Sequence, residues 1–308
     1  MSDTSIDEVI ERVSRTYGSW SRTTTVEQMR EDWDRLFWSD AIKASTADVS
    51  ANGVQAQWIA APGADPAKVL IYFHGGGFSV GSIKSHYDLI ARVSLAGGVR
   101  ALGVDYRRAP EHPFPAAFDD ALAAYRWVLS QGVEPRNIAL AGDSAGGGLA
   151  LSLTIFLRDA GEPLPSAVVA MSPWTDLEAS GESYQTRAQS DPIHQRAMVL
   201  AMARRYLGKS GDARDPRVSP LHAGLHGLPP MLLQVGDRET VLDDARMFAD
   251  KGREAGVEVQ LEVWDGMIHV FQQFAAQLPE ARRAIESIGA FLRARIGRGA
   301  DYAEEARS

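Results

Sequence analysis

Cysteine is absent from the 308 residues of this chain. Without a thiol, the protein has no disulfide, no thiolate nucleophile and no thiolate metal site, and this composition fits a reducing compartment. The first ten residues, MSDTSIDEVI, are acidic and lack the basic, apolar and small-residue progression of a signal peptide. The sequence therefore predicts a cytoplasmic protein.

Basic residues and long apolar runs are also scarce. The 32 Lys and Arg residues are outnumbered by 40 Asp and Glu residues, which leaves a formal charge of −8 and no basic stripe for a phosphate backbone. The longest apolar stretch, AGGGLALSLTIFL at residues 145–157, is well short of the ~20 residues that cross a bilayer. We therefore expect neither a nucleic-acid partner nor membrane insertion, and we interpret this stretch as a buried helix.

The chain does contain a regular alternation of strand-like and helix-like segments. Hydrophobic residues make up 45% and charged residues 23%, as in an ordinary globular protein. From residue 54 onward, short apolar runs such as VLIYF alternate with amphipathic stretches such as FPAAFDDALAAYRWVLSQG. Strands that alternate with helices form a mostly parallel sheet covered on both faces, so the sequence predicts an α/β fold.

Two amphipathic helices are predicted before the first strand, at residues 5–17 and 25–38, and the N-cap of the second is Thr24 or Thr25. Several large aromatic residues fall in this region: Trp20, Trp33, Phe37 and Trp38. Two interpretations stay open, namely helix faces packed on the main body and a cap over a pocket.

The segment GDSAG, residues 142–146, lies between the apolar run IALA and the apolar helix. Small residues flank Ser144 because a sharp turn from a strand into a helix leaves no room for larger side chains, and the turn lifts the serine hydroxyl above the sheet. A GxSxG match by itself is common, but this strand–turn–helix context is not. Ser144 is therefore the candidate nucleophile.

The segment HGGGF, residues 74–78, follows the apolar run VLIYF. Its three glycines allow the backbone to approach a ligand with its NH groups free, as stabilisation of an oxyanion requires. No Lys-Ser/Thr pair follows, so the segment is not a phosphate-binding P-loop. We expect His74 to orient this loop and not to act as a base.

A histidine late in the chain, His269 in WDGMIHVF, follows a predicted strand. A lone histidine is more often a surface or core residue than a catalytic one. The order of serine, acid and histidine along the chain, however, is that of α/β-hydrolase triads. His269 is therefore the candidate base.

No metal site is expected at His222 and His226, because the segment between them is rich in Gly and Pro and is not a helix that would bring them to one face.

Several spaced motifs resemble the bacterial hormone-sensitive-lipase family of carboxylesterases: HGGGF, DYRRAPEHPFPAAFDD, GDSAGGG, SPW, GLPPMLLQVG and GMIHVF. The similarity covers about residues 50–295. The resemblance implies an α/β-hydrolase fold, an N-terminal helical cap, and hydrolysis of short- to medium-chain carboxylic esters without a metal or an organic cofactor. It also raises a homodimer as one option, because relatives with this architecture are often dimers.

The resemblance assigns residues and domains as well. It implies Ser144 as nucleophile, His269 as base, and the backbone NH groups of Gly76, Gly77 and Ala145 as the oxyanion hole. The corresponding division of the chain is a cap region at 1–45, a catalytic domain at 46–298 with cap contributions near 180–215, and a polar tail at 299–308.

The acid of the triad must come from GDRETVLDD, residues 236–244, which contains four carboxylates. Thr240 followed by Asp243 is interpreted as a variant capping box at the start of a helix, with Asp243 and Asp244 as capping charges in its first turn. Asp237 and Glu239 then remain. The family's D-P-L-x-D-(D/E) run aligns with ETVLDDA without a gap, so Glu239 is preferred as the triad acid and Asp237 is the alternative.

Other functions of the same fold stay open. The machinery could serve a lactone, an amide or a carbamate in place of an ester. A protein of another class, a non-catalytic ligand-binding protein such as the related gibberellin receptors, lacks the catalytic histidine that this chain keeps.

Overall fold

Runs of branched and aromatic apolar residues form the strands of one eight-stranded sheet in the computed structural model, which describes residues 5–21, 23–39 and 41–297. The predicted tail at 299–308 lies outside the described residues. The strands are β1 Ser45–Ala51, β2 Val54–Ala60, β3 Asp65–Phe73, β4 Val99–Val104, β5 Ile138–Asp143, β6 Ala167–Met171, β7 Met231–Gly236 and β8 Val259–Trp264.

Helices lie between the strands and at both ends of the described chain, and all except the short α6 begin close to the predicted positions. They are α1 Ile6–Gly18, α2 Val26–Phe37, α3 Ile83–Gly97, α4 Ala116–Ser130, α5 Ala145–Asp159, α6 Ser183–Thr186, α7 Arg196–Leu207, α8 Leu242–Glu254 and α9 Pro279–Arg295. Thr25 is the N-cap of α2, since its hydroxyl accepts the amide NH of Gln28 at 3.2 Å.

The strand order is β1-β2-β4-β3-β5-β6-β7-β8. β1 and β2 are antiparallel to their neighbours, and the pairs from β4 through β8 are parallel. The carboxyl ends of the parallel strands therefore meet at one edge of the sheet, which is where α/β sheets place their ligand sites. The predicted α/β-hydrolase fold, with a mostly parallel sheet, is confirmed.

β1 was not predicted, because its sequence STADVSA carries no apolar alternation. Most of its residues are exposed, and it pairs with β2 at the sheet edge. A polar edge strand needs only backbone hydrogen bonds from its neighbour, so its pattern resembles that of a loop.

Two apolar clusters cover the faces of the sheet. One contains buried residues of α4, α5 and α8, and the other contains buried residues of α1, α3 and α9. The apolar stretch at 145–157 is a helix buried almost throughout, as predicted. Within the described ranges, no helix combines the length and the apolarity needed to cross a membrane.

The two N-terminal helices pack on the main body of the protein, and the N-terminal segment also contributes residues to the wall of a cavity. Val9 and Val13 of α1 are buried in the cluster that contains α3 and α9. Trp20, Trp33 and Phe37 line a cavity next to the carboxyl edge of the sheet, whereas Trp38 is 49% exposed. Tyr17 and Phe37 do both, since they pack against that cluster and also line the cavity.

α8 begins differently from the predicted capping box. Its N-cap is Val241, whose side chain makes no capping hydrogen bond. The hydroxyl of Thr240 donates to Oδ2 of Asp191 at 2.9 Å and does not receive the NH of Asp243. The capping-box prediction was wrong because the NH of Asp243 donates to Oγ of Ser183 at 3.0 Å, on a segment 60 positions earlier in the chain.

Candidate active site

Ser144 stands at the turn between β5 and α5, with backbone angles φ 52° and ψ −120°. A non-glycine residue at positive φ is strained, and such strain at this turn is typical of a nucleophile elbow. Hydrogen bonds to β6 and the loop after it hold the turn in place: the NH of Ser144 donates to Met171 O at 2.8 Å, and its carbonyl accepts the NH of Trp174 at 3.0 Å.

The glycines on either side of Ser144 are required by close contacts between backbones. A Cβ added to Gly142 would lie 2.4 Å from the backbone of Gly146, and one added to Gly146 would lie 2.1 Å from Phe73 O. Backbone atoms cannot move away as flexible side chains can. This packing supplies the physical reason for the small residues of the GxSxG segment.

His269 and Glu239 form a buried pair. Nδ1 of His269 lies 2.7 Å from Oε2 of Glu239, and the two residues are 7% and 0% exposed. Since the carboxylate can only accept, Nδ1 carries the proton and Nε2 keeps its lone pair. Nε2 is buried and has no hydrogen-bond partner among the described residues.

The second oxygen of Glu239 is also held. Oε1 accepts the hydroxyl of Ser172 at 2.7 Å and the NH of Gly236 at 2.5 Å. The hydroxyl of Ser172 in turn accepts the NH of Val270 at 3.0 Å. Ser172 therefore links the carboxylate to the residue that follows His269, and both members of the pair are fixed by one side chain.

Two residues next to this pair have a strained backbone. Ser172 has φ 45° and Val270 has φ 49°, both in the left-handed region. For a β-branched residue such as Val270 this conformation is an outlier. Strained residues persist where the surrounding structure over-determines them, and they cluster at functional sites.

Electrostatics favours the charged form of His269. Burial by itself lowers its pKa, but the charge and hydrogen bond of Glu239, followed by the charges of Asp191 and Asp143, raise the pKa above its ordinary value. A histidine in this environment accepts a proton more readily than a free one.

Asp237, the alternative acid, makes a different contact. Its Oδ1 accepts the NH of Gly266 at 2.7 Å, in the turn after β8. Of the two carboxylates that the sequence left open, Glu239 is the one hydrogen-bonded to His269.

Asp243 and Asp244 lie in the first turn of α8, as expected, but they bind another segment of the chain. Oδ2 of Asp243 accepts the NH of Ser183 at 2.7 Å. Oδ2 of Asp244 accepts the NH groups of Thr175 and Asp176 at 2.8 and 2.9 Å. These carboxylates therefore secure the loop between β6 and α6, and they are not solvent-facing capping charges.

Gly76 and Gly77 line the same cavity as Ser144 and have φ of 115° and 59°. A Cβ on Gly76 would lie 2.3 Å from Val80 O, so a side chain is excluded there by the backbone. Neither glycine NH donates a hydrogen bond within the part of the chain that the structure describes. Ala145 is fully buried at the first position of α5, where a helix NH has no partner in its own helix.

Asp143 is hydrogen-bonded to the glycine loop, residues 74–78. Its Oδ1 accepts the hydroxyl of Tyr72 at 2.7 Å and the NH of Gly75 at 3.0 Å, and its Oδ2 lies 3.3 Å from Nε2 of His86. His74 stacks on the ring of Tyr106 with centroids 4.2 Å apart, and its Nδ1 lies 2.8 Å from Gly75 O. His74 thus occupies a supporting position in the loop.

A cavity of about 210 Å³ brings these elements together. Ser144 and His269 line it, and so do Gly76 and Gly77. Its other walls come mainly from α1, α2 and α7 and are mostly apolar, with Trp33, Phe37, Met198, Val199 and Met202 among them. Arg30 of α2 ties this wall to the residue after the glycine loop by donating from Nε to Ser79 O at 2.9 Å.

One group of side chains among the described residues has the spacing of a metal site: Asp176, Glu178 and His222. Nε2 of His222 lies 3.5 Å from a carboxylate oxygen of each acid, and Arg214 pairs with Glu178 at 3.5 Å. His226 is not part of the group. None of these residues lines the cavity that contains Ser144.

Comparison with known proteins places the chain in a family. A family model described as alpha/beta hydrolase fold matches residues 70–273. An acetyl-hydrolase of Streptomyces hygroscopicus is 46% identical over 82% of this chain and 83% of its own length, and an esterase of Acinetobacter venetianus is 38% identical over 78% of both chains. The crystal structure of an esterase from the bacterial hormone-sensitive lipase family has a TM-score of 0.90 at 46% identity and covers 95% of this chain and 98% of that one. The chain belongs to the bacterial hormone-sensitive-lipase family of carboxylesterases.

Several residues around the site of this esterase were missed by sequence reasoning. Ser172 belongs to the motif SPW, which by itself indicates no role for the serine, and no neighbour of His86 in the sequence indicates its partner. Asp191 and His194 lie in the segment SDPIHQ, which is outside the motifs that predicted the site. No local pattern marks these residues, because each partner lies on a different element of the chain.

Proposed function

We propose that this esterase hydrolyses short- to medium-chain carboxylic esters through a covalent acyl-enzyme on Ser144. The observation that carries the proposal is the buried pair of Glu239 and His269, which leaves Nε2 of His269 unpartnered in the cavity that Ser144 also lines. A nucleophile and a base oriented by a carboxylate are the parts that acyl transfer requires.

In the first half-reaction, Nε2 of His269 removes the hydroxyl proton as Oγ of Ser144 attacks the ester carbonyl carbon. The carbonyl oxygen becomes an oxyanion, which the NH groups of Gly76, Gly77 and Ala145 stabilise. The imidazolium then gives its proton to the alkoxy oxygen, and the alcohol leaves. Glu239 holds the imidazole in the productive tautomer and stabilises its charged form.

In the second half-reaction, water attacks the acyl carbon and gives a proton to Nε2 of His269. The bond between the acyl carbon and Oγ of Ser144 breaks, the proton returns to Ser144, and the carboxylic acid is released. The reaction consumes one ester and one water and uses no redox step, and the prediction of no cofactor stays a prediction.

The size and lining of the cavity support the choice of acyl chain. About 210 Å³ with mostly apolar walls is smaller than the ~300–1,000 Å³ of pockets for drug-sized ligands. We assign the apolar wall from α1, α2 and α7 to the cap, which supports the proposed division at 1–45 and near 180–215. The cytoplasmic location and the homodimer stay predictions.

The test is hydrolysis of p-nitrophenyl butyrate by wild type and Ser144→Ala. Wild type is expected to release about one equivalent of p-nitrophenol in a burst if deacylation is slower than acylation, and Ser144→Ala is expected to lose both burst and turnover. Ser152→Ala, a buried serine of α5 outside the cavity, is the matched control and keeps its turnover. Full turnover by Ser144→Ala would refute the serine mechanism.

A further inference from the structure

The cavity wall contains buried polar atoms that the esterase mechanism does not use. Besides Nε2 of His269, three atoms of cavity-lining residues are buried without a hydrogen-bond partner among the described residues: Nδ1 of His194, Oγ of Ser79 and Nε1 of Trp33. Buried polar groups are nearly always satisfied in folded proteins, so unsatisfied ones call for an explanation. In a substrate cavity, the substrate is the natural partner.

His194 is the most informative of the three because it touches the proposed base. Its ring meets that of His269 edge to face, with centroids 4.5 Å apart and an interplanar angle of 85°. The residue is 7% exposed. Neither ring nitrogen of His194 hydrogen-bonds to a residue in the part of the chain that the structure describes, so the imidazole is free to bind a ligand close to the reacting centre.

The position of His194 is fixed by a carboxylate. Oδ1 of Asp191 accepts the NH groups of Ile193 and His194 at 2.8 and 2.9 Å. Oδ2 of Asp191 accepts the NH and the hydroxyl of Thr240 at 2.8 and 2.9 Å. Since Thr240 follows Glu239 directly, the loop that carries His194 is tied to the segment that carries the triad acid. The backbone at His194 is therefore fixed, and the ring packs against His269, which lowers the cost of ordering the imidazole when substrate binds.

The imidazole of His194 is neutral. Burial, and then the charge of His269, hold the pKa of His194 well below the ordinary value of histidine. A neutral imidazole donates one hydrogen bond and accepts another, so its natural ligand is a group that can do either, such as a hydroxyl or a carbonyl. An alkyl chain cannot satisfy it, and a carboxylate would satisfy only its N–H.

We propose that His194 is a specificity-determining residue that hydrogen-bonds a hydroxyl or carbonyl group of the substrate close to the scissile ester. The preferred substrates are then esters with such a polar substituent, and simple alkyl esters are the poorer ones. This inference deepens the proposed esterase function and rests on it. The substituent could belong to the acyl part or to the alcohol part, since both parts lie next to His269 during the reaction.

The experiment compares kcat/KM within two matched ester pairs. The acyl arm uses p-nitrophenyl 3-hydroxybutyrate against p-nitrophenyl butyrate, and the alcohol arm uses 3-hydroxybutyl acetate against butyl acetate. In whichever arm places the hydroxyl next to His194, the kcat/KM of wild type is expected to be about tenfold higher for the hydroxylated ester than for the plain one. This ratio corresponds to the free energy of about one net hydrogen bond. Equal rates, or a preference for the plain ester in both arms, would overturn the inference.

Variants assign the preference to the imidazole. His194→Phe keeps a ring against His269 but has no polar atom, and it is expected to remove the preference. His194→Gln keeps a donor and an acceptor, and it is expected to retain part of the preference. Each value is the ratio of kcat/KM for two esters measured on one variant. A loss of turnover that affects both esters equally therefore leaves the ratio unchanged. A preference that both variants keep in full would overturn the role of His194.

The matched control is Met198→Leu, a change of an apolar residue in the same cavity wall, for which the tenfold ratio is expected to persist. Disappearance of the ratio in this control as well would assign the preference to cavity shape and overturn the inference. The outcome is distinct from that of the serine mechanism, because Ser144→Ala tests the absolute rate on the plain ester and His194 variants test only the ratio.

Discussion

Nδ1 of His269 and Oε2 of Glu239 are joined by a hydrogen bond of 2.7 Å, and both residues are buried. The other oxygen of Glu239 is occupied by Ser172 and Gly236, so the carboxylate cannot rotate without breaking two further bonds. The pair is therefore rigid as well as close. Rigid orientation of the imidazole is what a triad acid contributes to catalysis.

Glu239→Gln is expected to lower kcat by about 10³- to 10⁴-fold. The amide oxygen can keep the bonds from Ser172 and Gly236, and the amide NH₂ group then faces Nδ1 of His269. Nδ1 must accept, so the proton moves to Nε2 and the base is lost. Initial rates with p-nitrophenyl butyrate measure the effect.

Asp237→Asn is the control for that experiment, because its oxygen can still accept the NH of Gly266. Its kcat is expected to stay within about twofold of wild type, which corresponds to about 0.5 kcal/mol or less. The reverse pattern, a large loss in Asp237→Asn with full activity in Glu239→Gln, would make Asp237 the acid.

The pH profile of kcat/KM is expected to fall on the acid side with an apparent pKa above the ordinary ~6.5 of histidine. The cause is the raised pKa of His269, whose protonated form cannot act as a base. Removal of the Glu239 charge takes away the main factor that raises this pKa, so the imidazole of Glu239→Gln should titrate at lower pH. NMR titration of His269 in both proteins measures the shift, and an unchanged or higher pKa in the variant would contradict the prediction.

Ser172→Ala is expected to reduce kcat by about 10- to 100-fold, because the charged carboxylate of Glu239 loses a hydrogen bond worth about 1.5–3 kcal/mol. The free energy of unfolding of the variant should also be lower by about 1–3 kcal/mol, since the NH of Val270 is left buried without its acceptor. Steady-state kinetics and urea unfolding measure the two effects.

Ser152→Ala is the matched control for Ser172→Ala. Ser152 is also buried, but its hydroxyl has no hydrogen-bond partner among the described residues. It should therefore lose little stability and no turnover. An equal loss in the two variants would show that the cost comes from the missing hydroxyl volume and not from the link between Glu239 and Val270.

Asp244→Asn is expected to flatten the dependence of stability on pH. Burial, and then the charge of Asp176, raise the pKa of Asp244 to about 8, against an ordinary value of ~3.9. Between these values the folded state holds a proton that the unfolded state has lost, so the free energy of unfolding falls as pH rises from about 4 to about 8. The asparagine does not titrate, and its oxygen can still accept the NH groups of Thr175 and Asp176.

Urea unfolding of wild type and Asp244→Asn at pH 5, 6.5 and 8.5 tests this sign, because two of these values lie inside the ~4–8 window and the third lies just above it. The free energy of unfolding of the variant should increase relative to that of wild type with each rise in pH, by a total on the order of a few kcal/mol. Parallel curves for the two proteins would show that Asp244 does not carry a proton in the folded state.

Local chemistry was enough to predict much of this protein. The turn at Ser144 follows from small residues between a strand and a helix, and the start of α2 follows from the hydroxyl of Thr25, because both depend on neighbours within a few positions. The alternation of strands and helices likewise predicted the parallel sheet. Spaced motifs in the right order predicted the family.

Other features depended on contacts between distant parts of the chain. Glu239 and Asp237 are two positions apart, and only the paths of the loops after β7 and β8 decide which carboxylate reaches His269. The hydroxyl of Thr240 was expected to cap a helix, yet it binds Asp191, which no local rule could reveal.

The sequence by itself thus determined the fold, the family and the candidate nucleophile and base, since each is evident from local patterns or from the order of motifs along the chain. The tertiary structure alone decided the partners of the carboxylates, the link through Ser172 and the place of His194 against His269. The physical reason is that hydrogen bonds and ring contacts act over a few ångströms, and only the folded chain brings residues 30 to 98 positions apart within that distance.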